Sequence, residues 1–122
     1  TRSRRTALSA TGGERMGMAT FLCISKHAPD KCPMFNETTK RVYAKWASSY
    51  AESYRKHGVK LVGAWTVHGE HVNVWVVDAP SLEAFQALNM EPEIQALSAI
   101  ETMEFKMAAN MEEVLKMLQL AK

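Results

Sequence analysis

Among the residues of this chain able to ligate a metal or transfer a proton, His27, Cys32, His68 and His71 are the four whose placement suggests a site. His68 and His71 bracket Gly69-Glu70. Glycine at the first central position of a two-residue turn suits type II′, so the pair is expected to face each other across a hairpin. Directly opposed Cβ atoms lie ~4.5–5.5 Å apart there, close enough for two imidazoles to share a divalent ion. His27 and Cys32 flank a loop that could add further ligands, and a His/Cys set suits Zn²⁺ or a late transition metal. A divalent transition metal is therefore the class these residues admit, while the sequence leaves the cofactor open. The competing reading makes His68 and His71 half-wet polar residues of the hairpin rim.

His71 and His27 are also the candidates for acid–base work, because imidazole titrates near ~6.5. The bland role for His27 is to hydrogen-bond a loop carbonyl. Cys32 immediately precedes Pro33, a residue able to open a helix, and a thiol near a helix N-terminus is drawn toward thiolate. Cys23 sits inside an apolar run and reads as core packing. Thr66, Asn73 and Trp75 alternate on one strand face as a neutral polar and aromatic patch, suited to an uncharged small molecule or to a subunit interface. Tyr43, Trp46, Tyr50 and Tyr54 recur at helical spacing and read chiefly as core. Buried phenols need hydroxyl partners, however, and Tyr50 is retained as a ligand-binding candidate. Glu101 and Glu104 fall on opposite faces of one strand and so make no carboxylate pair. The sequence has no Gly-rich phosphate loop, CxxC or nucleophile elbow.

Several elements must position these groups. Residues 19–25 are apolar on both faces and predict an interior strand. A loop with Pro29 and Pro33 follows, then a helix capped by Asn36, or started at Pro33, that runs to about His57 and ends at Gly58. Residues 59–67 and 72–78 predict a hairpin pairing Val67 with Val72, Thr66 with Asn73 and Ala64 with Trp75. One hairpin face carries Gly63, Trp65, Val67, Val72, Val74 and Val76 with Leu61; the other carries Val62, Ala64, Thr66, His68, His71, Asn73, Trp75 and Val77. The first, being uniformly apolar, is expected beneath the helices. The second is then left for a partner subunit to cover. Ser81 caps a second helix with Leu82, Phe85 and Leu88 buried, and Pro92 restarts a short one through Ile94 and Leu97. Residues 100–108 alternate as a strand at a sheet edge or dimer seam, and Asn110 with Glu113 resembles a capping box for a last helix.

The order strand, helix, hairpin, helix, strand is the split βαβ pattern. The fold expected is α+β: ferredoxin-like βαββαβ with a final helix and a four-stranded antiparallel sheet, paired into a dimeric α+β barrel. The chain also resembles a small domain family of uncharacterised function in the dimeric α+β barrel superfamily, over about residues 18–120. The likeness is carried by the loop His27-Ala28-Pro29-Asp30-Lys31-Cys32-Pro33, by Gly63-Ala64-Trp65 through Glu70-His71, and by Asp78-Ala79-Pro80-Ser81. The resemblance implies a cavity beside the sheet, which relatives use for cofactor-independent oxygenation, isomerisation, haem chemistry or plain ligand binding.

A chain of 122 residues suits one domain. The net charge of +2 is uneven: residues 1–17 carry +3, leaving a body of −1. Those first residues are expected to be a disordered or appended segment, with Met16 or Met18 as a natural start, and residues 18–122 the folded domain. The near-neutral body gives no reason to expect a nucleic-acid partner. No apolar run approaches the ~20 residues of a membrane span. Two cysteines are too few for a secreted disulfide scaffold, so both are expected reduced in a cytoplasmic protein. The partners expected are a second copy of the chain, as homodimer or higher oligomer, and a small molecule. The functional reading is a small-molecule or metal-binding barrel, with a non-catalytic assembly module and a cofactor-independent or haem-dependent oxygenase-like enzyme as alternatives.

Overall fold

The computed structural model describes residues 17–119; the N-terminal segment read as an appendage lies outside them, apart from Gly17. The elements run β1 (Ala19–Lys26), α1 (Glu37–Lys56), β2 (Lys60–Val67), β3 (Val72–Ala79), α2 (Leu82–Leu88), α3 (Pro92–Ile100), β4 (Thr102–Ala108) and α4 (Met111–Met117). The strands form one sheet in the order β2-β3-β1-β4, and every neighbouring pair is antiparallel. This is the ferredoxin-like α+β arrangement, with β1 interior and β4 at an edge. No helix among the described residues is long and apolar enough to cross a membrane.

Local signals set the helix boundaries. The Asn36 side chain accepts from the Thr39 N–H at 3.0 Å, and Ser81 accepts from the Ala84 N–H at 3.0 Å. Gly58 at φ +69° turns the chain after α1. Glycine takes that left-handed conformation freely, whereas a side chain there is strained. The capping box of Asn110 and Glu113 forms as expected. Pro33 does not start α1, so Cys32 lies four residues before the cap at Asn36; it closes a 3-10 turn at Pro29–Lys31 instead. Cys32 is therefore not at the helix N-terminus, where a dipole would draw on its thiol.

The hairpin register is as expected: Val67 pairs with Val72, Thr66 with Asn73 and Ala64 with Trp75. Its orientation is the reverse of the expectation. The helices cover the mixed face, where Asn73, Val77 and Ala79 are buried beside Phe21, Cys23 and Ser25 of β1. The uniformly apolar face, with Leu22, Ile24, Val72, Val74 and Val76 half-buried and Trp65 exposed, is turned away from α1, α2 and α3. The cause lies in what the helices offer. The α1 stripe presents phenols as well as rings, so Asn73 finds Tyr43 Oη at 2.8 Å. Trp75 Nε1–H reaches the Ser25 hydroxyl at 3.3 Å within the sheet. A polar group is buried cheaply only where such a partner waits. A bulge between Leu61 and Gly63 then moves Leu61 to the helix side, where it packs on the core.

The core itself joins Phe21, Cys23, Val77 and Ala79 of the sheet to Tyr54, Phe85, Leu88 and Ile94 of the helices. Phe21 and Phe85 stack with centroids 4.2 Å apart. Trp46 stacks on Tyr50 at 4.4 Å and meets Trp75 edge-on.

Candidate functional site

His27 follows the last residue of β1, and its N–H donates to the His71 carbonyl at 3.1 Å, extending the β1–β3 pairing one step past the strand ends. That bond brings the two imidazoles together. His71 takes φ +58°, a left-handed conformation closing a four-residue turn from His68. The expected two-residue type II′ turn, with His68 and His71 in opposition, does not form. Left-handed residues at both Gly69 and His71 carry the chain across in two steps.

His71 Nδ1 lies 3.2 Å from His27 Nε2, with the rings edge-on at 5.1 Å between centroids. The Cys32 thiol completes a triangle: one ligand atom from each of His27, Cys32 and His71 falls within 4.8 Å of the other two. His27 and Cys32 are buried and His71 half-buried. Behind His27, Nδ1 sits 3.5 Å from Glu101 Oε2, without the geometry of a hydrogen bond. The Glu101 carboxylate is wholly buried, and its Oε1 has no hydrogen-bond partner.

A hydrogen-bonded chain leads away from that carboxylate. Tyr43 OH donates to Glu101 Oε2. Asn73 Nδ2 donates to Tyr43 Oη at 2.8 Å, and Thr66 Oγ donates to Asn73 Oδ1 at 2.8 Å. Burial, then the Glu101 hydrogen bond and charge, push the Tyr43 phenol well above its usual range, so it stays a proton donor. Burial likewise lifts the Cys23 thiol to about 12, which keeps it an inert core group.

The triangle forms the floor of a chamber of about 530 Å³. Pro33, Met34 and Phe35 line one side, and Thr66, Val67 and His68 the other, with Tyr43 and Asn73 also exposed to it. Met34 and Phe35 are 74% and 85% exposed, which places two large apolar groups at the rim. A smaller pocket of about 170 Å³ lies alongside, bounded by Tyr43, Ala64, Thr66, Asn73 and Trp75.

The fold therefore gathers His27, Cys32, His71, Thr66 and Asn73, with Trp75 in the adjoining pocket. His68 lines the chamber but is not part of the ligand triangle. Tyr50 is not among the lining residues of the chamber; it packs between Trp46 and Tyr54 in the aromatic core. The phenol at the chamber is Tyr43, seven residues earlier. On sequence, Glu101 enters only as a possible carboxylate partner of Glu104 on one strand and is set aside; the structure places it at the C-cap of α3, just before β4, with its side chain wholly buried beside His27. Its place between the buried Leu97 and the strand alternation of Met103, Phe105 and Met107, on the same side, was the available signal.

No protein-family model matches the chain, and no curated protein does. Among solved structures, SnoaB from Streptomyces nogalater, described as a cofactor-independent oxygenase, is similar at 18% identity. The likeness covers 76% of this chain and 92% of SnoaB, with a TM-score of 0.46. The ferredoxin-like assignment rests on the strand order and register given above.

Proposed function

We propose that this chain holds a divalent transition ion at His27, Cys32 and His71 and presents it to a small molecule in the chamber above. The observation that carries the reading is the 3.2 Å approach of His71 Nδ1 to His27 Nε2 beside a buried cysteine. Two imidazole nitrogens that face each other must share either a proton or an ion. Tetrahedral Zn²⁺ with Zn–N bonds of ~2.0–2.1 Å places its nitrogen ligands about 3.3 Å apart, close to the separation seen. The Cys32 Sγ lies within 4.8 Å of a ring nitrogen of each histidine, in reach as the third ligand. Three protein ligands leave a fourth position for a substrate or water, the pattern of catalytic rather than structural zinc sites. When bound, such an ion would polarise a ligand oxygen or sulfur. The protein's own part is to screen the site with Met34 and Phe35 and to orient the ligand against Thr66 and Asn73.

The site is tested by elemental analysis and by the spectrum of the cobalt(II)-loaded protein. The expected result is one ion per chain and an ultraviolet thiolate-to-cobalt band, both lost in Cys32→Ser and His71→Ala variants that keep wild-type circular dichroism. Folded wild-type protein that takes up no cobalt overturns the reading, and a Soret band would favour a haem-type relative instead. A thiolate ligand calls for reducing surroundings, which agrees with the cytoplasmic setting expected from two unpaired cysteines.

A second copy of the chain is the occupant we propose for the open sheet face. Across β2, β3 and β1 this face presents Trp65, Val67, Val72, Val74, Val76, Leu22 and Ile24, with charged residues toward its margins at Lys26, Lys60, Asp78, Glu104 and Lys106. Apolar rows framed by both signs of charge are self-complementary under a two-fold axis.

A further inference from the structure

Glu101 poses a problem of charge that the chain alone does not solve. Its side chain is wholly buried, and among the described residues no lysine or arginine pairs with it. A buried carboxylate without a compensating cation costs several kcal/mol. The hydrogen-bonded chain nevertheless presents it with a donor. Tyr43 has one proton and keeps it; Asn73 points an N–H at the phenol oxygen, and Thr66 fixes that amide by donating to Asn73 Oδ1. The phenol proton is thereby directed to Glu101 Oε2, which accepts the hydrogen bond. Among the described residues, two buried side-chain atoms remain without hydrogen-bond partners, Glu101 Oε1 and His27 Nδ1, and they belong to neighbouring side chains that lie between the Tyr43 chain and the ligand triangle.

We infer that Glu101 selects the charge of the ion in the triangle: it makes the site one for a divalent cation and disfavours a monovalent one. The inference rests on the metal reading above. Soft thiolate and imidazole donors by themselves also accept monovalent soft ions such as Cu⁺ or Ag⁺. With a Cys32 thiolate and the Glu101 carboxylate both out of water, a divalent ion leaves the cluster neutral, whereas a monovalent ion leaves a net negative charge buried, which the interior penalises. Glu101 touches no ligand position and acts through His27. Its Oε2 lies 3.5 Å from His27 Nδ1, so a small turn of the ring would let Nδ1–H donate to it and keep the Nε2 lone pair toward the triangle, as carboxylates behind metal-bound histidines do. Tyr43, Asn73 and Thr66 are positioning residues one step further back.

The test compares Co²⁺ and Ag⁺ as probes on wild type, Glu101→Gln and Tyr43→Phe, with circular dichroism and thermal melting to establish folding. Glu101→Gln keeps the shape and removes the charge. It should weaken Co²⁺ binding by about 10–100-fold, the usual span for losing such a partner, while Ag⁺ binding changes far less. Tyr43→Phe should lower Co²⁺ affinity by a smaller factor and shift the visible cobalt bands, since the carboxylate is then free to turn. An equal loss for both ions, or an unchanged Co²⁺ affinity in folded Glu101→Gln, overturns the inference while leaving the site itself standing. Wild-type protein that binds neither ion overturns the site reading and this inference together.

Discussion

At the scale of single residues, the chemistry of this chain depends on which polar groups are buried and what they face. Tyr43 and Tyr54 are the clearest titratable cases. Burial raises both phenols above their usual range, with the Cys23 thiol adding to the effect at Tyr54. A raised folded value means that the fold favours the neutral phenol. That contribution is complete below the unfolded value of ~10 and is lost as the pH climbs toward the folded one. Denaturant unfolding at a series of alkaline pH values should therefore show stability falling above pH ~10. Tyr54→Phe should flatten that fall, and a slope unchanged in the variant would count against it. The histidines and Cys32 were recognisable from residue type alone. Tyr43 and Glu101 were not, because their importance comes from a contact spanning more than fifty residues of sequence.

At the scale of elements, local rules were nearly sufficient. Helix caps and turn residues act within four residues of chain, so Asn36, Ser81, Gly58 and the Asn110–Glu113 box could each be read in advance. Their energetic weight can be measured. Asn36→Ala should cost ~1 kcal/mol by removing the acceptor for the Thr39 N–H. Gly58→Ala should cost roughly 1–2 kcal/mol. The added Cβ would meet only Pro80 Cγ at 3.6 Å, so that cost is backbone strain rather than a clash. Urea unfolding checks both. Gly63→Ala is a different case: its Cβ would lie 2.5 Å from Trp65 Cη2, so the indole must leave its seat on β2. The element rules failed at the hairpin tip. Gly69 suggested one tight turn, but His71 took the second left-handed position, and this rotated His68 out of the triangle.

At the scale of the described molecule, the sheet has one face under α1, α2 and α3 and one turned away from them. If a second copy covers the open face, the interface core is Ile24, Val74 and Val76 on the two central strands. A charge introduced there leaves the intramolecular core untouched and opposes burial. Ile24→Glu or Val74→Lys should convert a sedimenting dimer to a monomer with little change in far-ultraviolet circular dichroism. A wild type that sediments as a monomer at high micromolar concentration would remove the dimer from the account. The ligand triangle lies on the helix side of the sheet, so cobalt uptake by the monomeric variant should match that of wild type.

The amino-acid order by itself determined the succession of strands and helices, the register of the hairpin, the caps, and the short roster of groups able to bind a metal. All of these depend on periodicity and on neighbours a few residues apart. Only the tertiary structure decided which face of the sheet the helices cover, and with it which polar residues share a chamber. Alternation along a strand separates two faces but does not rank them. The ranking came from partners on distant elements: the Tyr43 phenol on α1, and the Phe85 ring on α2 stacked against Phe21 of β1. With these in place, burying Asn73 and Trp75 is cheaper than burying the valines opposite.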